Sequence, residues 1–147
     1  MKCEVKKANS ELRSQERTHY SMVEAREIVI DLKRRTRTFA VDVVRFCAAL
    51  SNNTATVIIS RQLLRSATSV GANYRSARRA QSRKDFIAKL AIVEEEADET
   101  LYWMELLSEL GVTNKPELQR LTKEAHEILS IIVASKKTVR SKLNNGG

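Results

Sequence analysis

The sequence predicts an all-α protein folded as an antiparallel, up-down-up-down four-helix bundle, and three observations predict it. Backbone breakers are scarce, with one proline and four glycines in 147 residues, two of those glycines at the extreme C-terminus. Few positions are therefore suited to turns, and long uninterrupted helices result. Apolar residues recur in four segments at alternating steps of three and four, the signature of one helix face. The connections between these segments are a few residues long, which forces neighbouring helices antiparallel. The hydrophobic share of 42% suffices for a core, and the charged share of 30% is too low for disorder.

The first helix is expected over 22–50. Its stripe is Met22, Ala25, Val29, Leu32, Thr36, Phe39, Val43, Phe46 and Leu50, with Ser21 and Glu24 spaced as a capping box. The polar cluster Arg34, Arg35, Thr36, Arg37, Thr38 weakens its middle, so a start near Thr36 is the alternative. Residues 1–21 read as a polar extension. Ser51, Asn52, Asn53 and Thr54 close the first helix and cap the second.

The second helix is expected over 55–79, with Ile59, Leu63, Ala67, Val70, Tyr74 and Ala77 inward and Gly71 marking a close helix approach. Ser82 caps the third, expected over 83–110, with Asp85 in its first turn. Phe86, Leu90, Val93, Ala97, Leu101, Met104 and Leu107 form its stripe, and Gly111 ends it. The fourth is expected over 115–142, capped by Asn114, with Pro116 and Glu117 in its first turn. It buries Leu118, Leu121, Ala125, Ile128, Ile132, Ser135 and Val139 before a flexible tail, 144–147. The bundle thus spans 22–143.

The net charge of +8 is unevenly distributed. Residues 54–93 carry eight basic groups against Asp85 alone, whereas 94–110 carry seven acidic groups and no basic one. Such blocks either pair internally or display a basic surface to a polyanion. The second helix carries a second periodic feature. Taking roughly 100° per residue with Arg61 at 0°, Arg65 falls near 40°, Arg75 near −40° and Arg79 near 0°, while the apolar stripe lies between about 160° and 240°. Arg61, Arg65, Arg75 and Arg79 therefore line the side away from the core. Arginine suits bidentate phosphate contact. Ion pairing with a neighbouring helix or subunit is the competing reading. Glu94, Asp98, Glu105 and Glu109 share one part of the third helix's surface and are the candidate internal partners.

Enzymatic chemistry finds little support. A di-iron bundle needs Glu-x-x-His on each of two helices plus two further glutamates. Glu16 and His19 have that spacing but precede the bundle, and Lys123 stands three residues before His126. No glycine-rich phosphate loop is present. Ser66, Ser69 and Ser82 have no nearby histidine. Cys3 and Cys47 lack metal or redox spacing, and Cys47 reads as a small buried hydrophobe. No catalytic residue, metal or cofactor is expected, and a metal-dependent enzyme ranks third among the readings. Tyr102, Trp103 and Tyr74 offer either a base-stacking platform or packing; their place on or beside the apolar stripes favours packing. No apolar run reaches the roughly 18 residues of a membrane span, and the N-terminus lacks a signal-peptide core, so a cytoplasmic protein is expected.

The run Gln62–Tyr74 (QLLRSATSVGANY), the run Ala80–Leu90 (AQSRKDFIAKL), and Glu95, Glu96, Glu99, Thr100 and Tyr102–Leu107 (YWMELL) resemble the four-helix bundle family of 23S rRNA intervening-sequence proteins. The resemblance spans about Thr36 to Leu110 and reaches the fourth helix by pattern alone. It implies a small bacterial bundle that closes into a homo-oligomeric ring, commonly a pentamer. It also implies kinship with the accessory proteins of diversity-generating retroelements, basic rings that bind nucleic acid and a reverse transcriptase. It carries no catalytic residues. Ser76 stands where family members often have an acidic residue, which leaves one intersubunit pair open. The first ~30 residues precede the family's usual start, as an added segment or an overcalled start codon. The leading expectation is a non-catalytic, basic, oligomeric scaffold binding RNA or DNA without sequence preference. A protein-interaction module whose arginines make subunit contacts is the alternative.

Overall fold

A computed structural model describes residues 14–15, 22, 31–111 and 115–145. The chain divides into two compact units, Met1–Leu32 and Lys33–Gly147, and the architecture below concerns the second. The capping box at Ser21 and Glu24, the stripe positions Ala25 and Val29, the Asn114 cap and the end of the tail lie outside the described residues. Met22, expected on the stripe, is 66% exposed.

Four helices make the bundle. Helix α1 covers 31–48 of the described residues; α2 is Thr54–Ala77, α3 Arg83–Leu110 and α4 Lys115–Asn144. Contacts between them place each helix antiparallel to the next. Thr36 meets Gly71 and Cys47 meets Ser60 across α1 and α2. Ser66 meets Thr100 across α2 and α3, and Met104 meets Thr122 across α3 and α4. Arg35 meets Glu124 and Asp42 meets Arg120, so α4 closes the ring of helices against α1.

The caps are local chemistry. The Asn53 side chain accepts from the Thr56 N–H at 2.9 Å and starts α2. Ser82 Oγ accepts from the Asp85 N–H at 3.0 Å while Asp85 Oδ2 accepts from the Gln81 N–H at 3.1 Å, a reciprocal clasp at the head of α3. Gly111 ends α3 at φ 63°, a left-handed conformation that costs glycine nothing. Helix α2 stops at Ala77, two residues before the expected Arg79, with Arg79 and Ala80 bonded in turns to Ser76 and Ala77.

The core follows the expected stripes, except that Leu50, Phe86, Ser135 and Val139 are half-buried and hydroxyl residues take some of the inward places. Leu63, Ala67, Val70, Tyr74 and Ala77 of α2, Leu90 to Leu107 on the α3 stripe, and Leu118 to Ile132 on α4 are buried. Ile59 is half-buried, and Ser60 and Thr56 take inward places instead. Thr36, Ser66 and Thr100 are buried too. Their hydroxyls reach the carbonyls of Lys33, Leu63 and Glu96 in their own helices, so burial leaves no orphaned donor there. Gly71 lets α1 approach α2: a Cβ on it would sit 3.4 Å from the Thr36 carbonyl oxygen.

Candidate nucleic-acid interface

Helix α2 contains no acidic residue between Thr54 and Ala77. Its arginines Arg61, Arg65 and Arg75, and Arg79 just beyond its end, are all exposed. They do not share one fate. Arg65 reaches α3, where it pairs with Glu99 at 2.5 Å and Glu96 at 3.3 Å. Glu99 also accepts from the Trp103 indole N–H at 3.0 Å. The Arg65 guanidinium and then the indole hold the Glu99 carboxyl below its ordinary range. Arg61, Arg75 and Arg79 have no ion-pair partner among the described residues.

The carboxylates expected beside these arginines are elsewhere. Glu94 pairs with Lys136 of α4, and with Glu95 and Asp98 it lines a shallow groove between α3 and α4. Glu96 and Glu99 occupy the flank of α3 that faces α2, whereas Glu94 and Asp98 lie on the flank that faces α4. The sequence showed which carboxylates cluster but not which flank faces which neighbour.

The α1–α4 seam consumes further charge. Arg35 donates to Glu124 through Nε at 2.9 Å and Nη2 at 2.8 Å, and to Glu127 at 2.7 Å. Its guanidinium is held charged above its already high ordinary pKa, chiefly by the Glu124 bond. Arg120 clasps Asp42 at 2.9 Å and Glu117 at 2.7 Å. Helix α1 thus gives its α4 flank to ion pairs and turns Lys33 and Arg37 toward α2. These two, with Arg75, line a groove of ≈ 510 Å³ between α1 and α2, whose other walls are Thr36, Ala40, Thr68, Gly71 and Ala72. No carboxylate lines it among the described residues. The joining of Lys33 and Arg37 to Arg75 escaped the sequence reading, although their four-residue spacing on one side of α1 was a signal for it.

The aromatic residues divide between core and surface. Tyr74 is 4% exposed and packs in the core, where it has no face free for a base. Tyr102 and Trp103 stand edge to face, with ring centroids 4.9 Å apart at 69°. The Cys47 thiol is pushed up to about 11 by burial, which keeps it protonated and unreactive at neutral pH. Among the described residues no cluster of three or more His, Cys, Asp or Glu is placed to hold a metal ion, and no helix is long and apolar enough to cross a membrane.

These features define a basic four-helix bundle in which ion pairs lace three of the four helix seams and leave the α1–α2 seam cationic. The model of the family described as 23S rRNA-intervening sequence protein matches residues 30–134, and the chain belongs to that family. It is similar to a solved structure from the S23 ribosomal protein family of Bacteroides thetaiotaomicron VPI-5482, a protein described as having unknown function. The two are 38% identical with a TM-score of 0.69, over 74% of this chain and 97% of the other. No curated protein gives a significant match to the chain.

Proposed function

We propose that the protein is a non-catalytic, oligomeric scaffold that binds RNA or DNA through the arginine flank of α2. The observation that carries the reading is the set of Arg61 and Arg75 on a helix without a carboxylate and Arg79 just past its end, all three lacking an ion-pair partner among the described residues. Unpaired guanidinium groups repel one another and remain hydrated until a polyanion neutralises them. Self-association is supported by α3, whose outer side sets apolar residues among its carboxylates. Ile92, Tyr102 and Leu110 are exposed there, as is Ile58 on α2. Leu64 of α2 and Ile87, Trp103 and Leu106 of α3 are half-buried. These exposed apolar side chains support a subunit contact. The family resemblance extends the proposal to a pentameric ring and to a reverse transcriptase as protein partner.

The test is a salt titration of binding to RNA and DNA, run on the wild type and on Arg61→Gln/Arg79→Gln. The wild type should lose affinity linearly on a log–log plot, and the double variant should show a slope shallower by about 1.4–1.8, at 0.7–0.9 per phosphate. Light scattering on both reports the assembly. If the variant falls apart into monomers, the arginines are subunit contacts, as the favourable Arg65 pair with α3 exemplifies within one chain. A wild type that ignores nucleic acid at low salt refutes the proposal outright.

A further inference from the structure

Resting on the reading that the protein binds nucleic acid, we propose that the groove between α1 and α2 is the seat of the phosphodiester backbone, gripped by Lys33, Arg37 and Arg75 with the bases turned outward.

The groove has the charge for this and no internal use for it. Lys33 and Arg37 are one helical turn apart on α1, a rise of about 6 Å, and Arg75 faces them from α2. All three are exposed. None has an ion-pair partner among the described residues, in contrast to Arg35, Arg65, Lys89, Arg120 and Lys136, which all do. The contrast is sharpest on α1, where Arg35 and Arg37 are two residues apart. Arg35 is committed to Glu124 and Glu127, and Arg37 is left to the groove.

The walls decide what kind of polyanion fits. Ala40, Gly71 and Ala72 carry no side chain large enough to hold a ligand side chain, and among the described residues no aromatic residue lines the groove to stack a base. The two hydroxyls are already spent as donors, Thr36 to the Lys33 carbonyl and Thr68 to the Leu64 carbonyl at 2.6 Å. Both helices have their backbone N–H groups tied up within themselves. A peptide would need side-chain pockets or free backbone donors, and the groove has neither. It offers three cations above a smooth floor, and a repeating phosphate is the ligand that uses that and nothing more. Contact confined to phosphates carries no sequence information. Binding should therefore be indifferent to base, and DNA and RNA strands, which present the same phosphates, should bind alike.

The experiment is fluorescence anisotropy on the full chain with labelled oligo-dT, oligo-dA and oligo-rA, titrated across salt concentrations. The variants are Lys33→Gln/Arg37→Gln and, independently, Ala72→Glu. Ala72 is exposed on α2, so the glutamate keeps the helix and sets a carboxylate three residues from Arg75. Circular dichroism and light scattering should show both variants folded and assembled as the wild type is. The wild type should bind the three probes within about threefold of one another, as contact with the backbone alone requires. Lys33→Gln/Arg37→Gln should flatten the salt slope by about 1.4, two phosphates at 0.7 each on a single strand. Ala72→Glu should weaken binding about tenfold through like-charge opposition. If the groove variants bind as tightly and steeply as the wild type while Arg61→Gln/Arg79→Gln does not, the backbone lies on the outer flank and the groove assignment is wrong. A strong preference for one base, or equal binding of poly-glutamate at matched charge, overturns it as well. A wild type that binds no nucleic acid defeats the broader reading first, and the two failures are told apart by that arm.

Discussion

Arg35 is the tie between α1 and α4, and removing it should be the most costly single charge deletion in the bundle. Its guanidinium makes two bonds to Glu124, at 2.9 and 2.8 Å, and one to Glu127, at 2.7 Å. The Arg35 and Glu124 side chains are 24% and 27% exposed, so water competes weakly for that pair, whereas Glu127 is 49% exposed. A bidentate, partly covered charged pair contributes about 1.5–2.5 kcal/mol, and the exposed third bond about 0.5 kcal/mol. Arg35→Ala should therefore cost roughly 2–3 kcal/mol, with a fall in melting temperature of about 6–9 °C for a chain of this size. Arg35→Met retains most of the aliphatic stem, so its difference from Arg35→Ala isolates packing from charge. A double-mutant cycle with Glu124→Ala, read by chemical denaturation, should give a coupling near 1.5 kcal/mol. A coupling below about 0.5 kcal/mol would mean that the pair is a surface contact without consequence, and the account of the α1–α4 seam would fail.

Gly71→Leu should lower stability by about 1–3 kcal/mol through overpacking, because its Cβ already meets the Thr36 carbonyl at 3.4 Å, while Gly71→Ala should be tolerated; parallel thermal melts test both. Ser60 Oγ is buried without a hydrogen-bond partner, so Ser60→Ala should raise the melting temperature by about 3–5 °C, and a fall instead would reveal a partner for the hydroxyl. The carboxyls of Asp85, Glu99 and Glu117 are held below their ordinary range by hydrogen bonds from Lys89, Arg65 and Arg120 respectively. A depressed folded pKa gives stability that is present above the unfolded value and lost as pH falls through it toward the folded one. Melting temperature should therefore hold from neutral pH to about 5 and decline below about 4.5, less steeply in high salt since these groups are only half-buried.

The helices were legible because their information is local and redundant. The stripe of α3 from Leu90 to Leu107 is buried residue for residue, and Ser82, Asn53 and Gly111 act as the caps their chemistry suggests. Errors arose where a local rule had nothing to act on. No glycine or proline marks the end of α2, so the expected helix runs on to Arg79, two residues past its true end at Ala77. Counting apolar spacing also undervalues serine and threonine, whose hydroxyls can bond back to their own helix and enter a core satisfied. Thr36, Ser66 and Thr100 do so, and Ser66 and Thr100 meet each other across the α2–α3 seam at 3.0 Å. Thr36 is a polar residue on the α1 stripe and packs against Gly71 of α2.

The charge pattern was harder to read because its meaning depends on which flanks face each other. A block of basic residues on α2 followed by a block of acidic residues on α3 suggests mutual neutralisation across their shared seam. The structure uses that seam for one arginine, Arg65. Helix α4 supplies other compensation, with Lys136 answering Glu94 of α3, Arg120 answering Asp42 of α1, and Glu124 and Glu127 answering Arg35. Because α4 closes the bundle against both α3 and α1, it draws charge away from the flanks that would otherwise have paired with α2. Lys33, Arg37, Arg61, Arg75 and Arg79 are left with no opposite charge in ion-pair range among the described residues. Three of the five, Lys33, Arg37 and Arg75, line a groove kept smooth by Ala40, Gly71 and Ala72. An unneutralised cationic seam costs the monomer stability through self-repulsion, and a phosphate backbone laid along it would relieve that cost at the moment of binding.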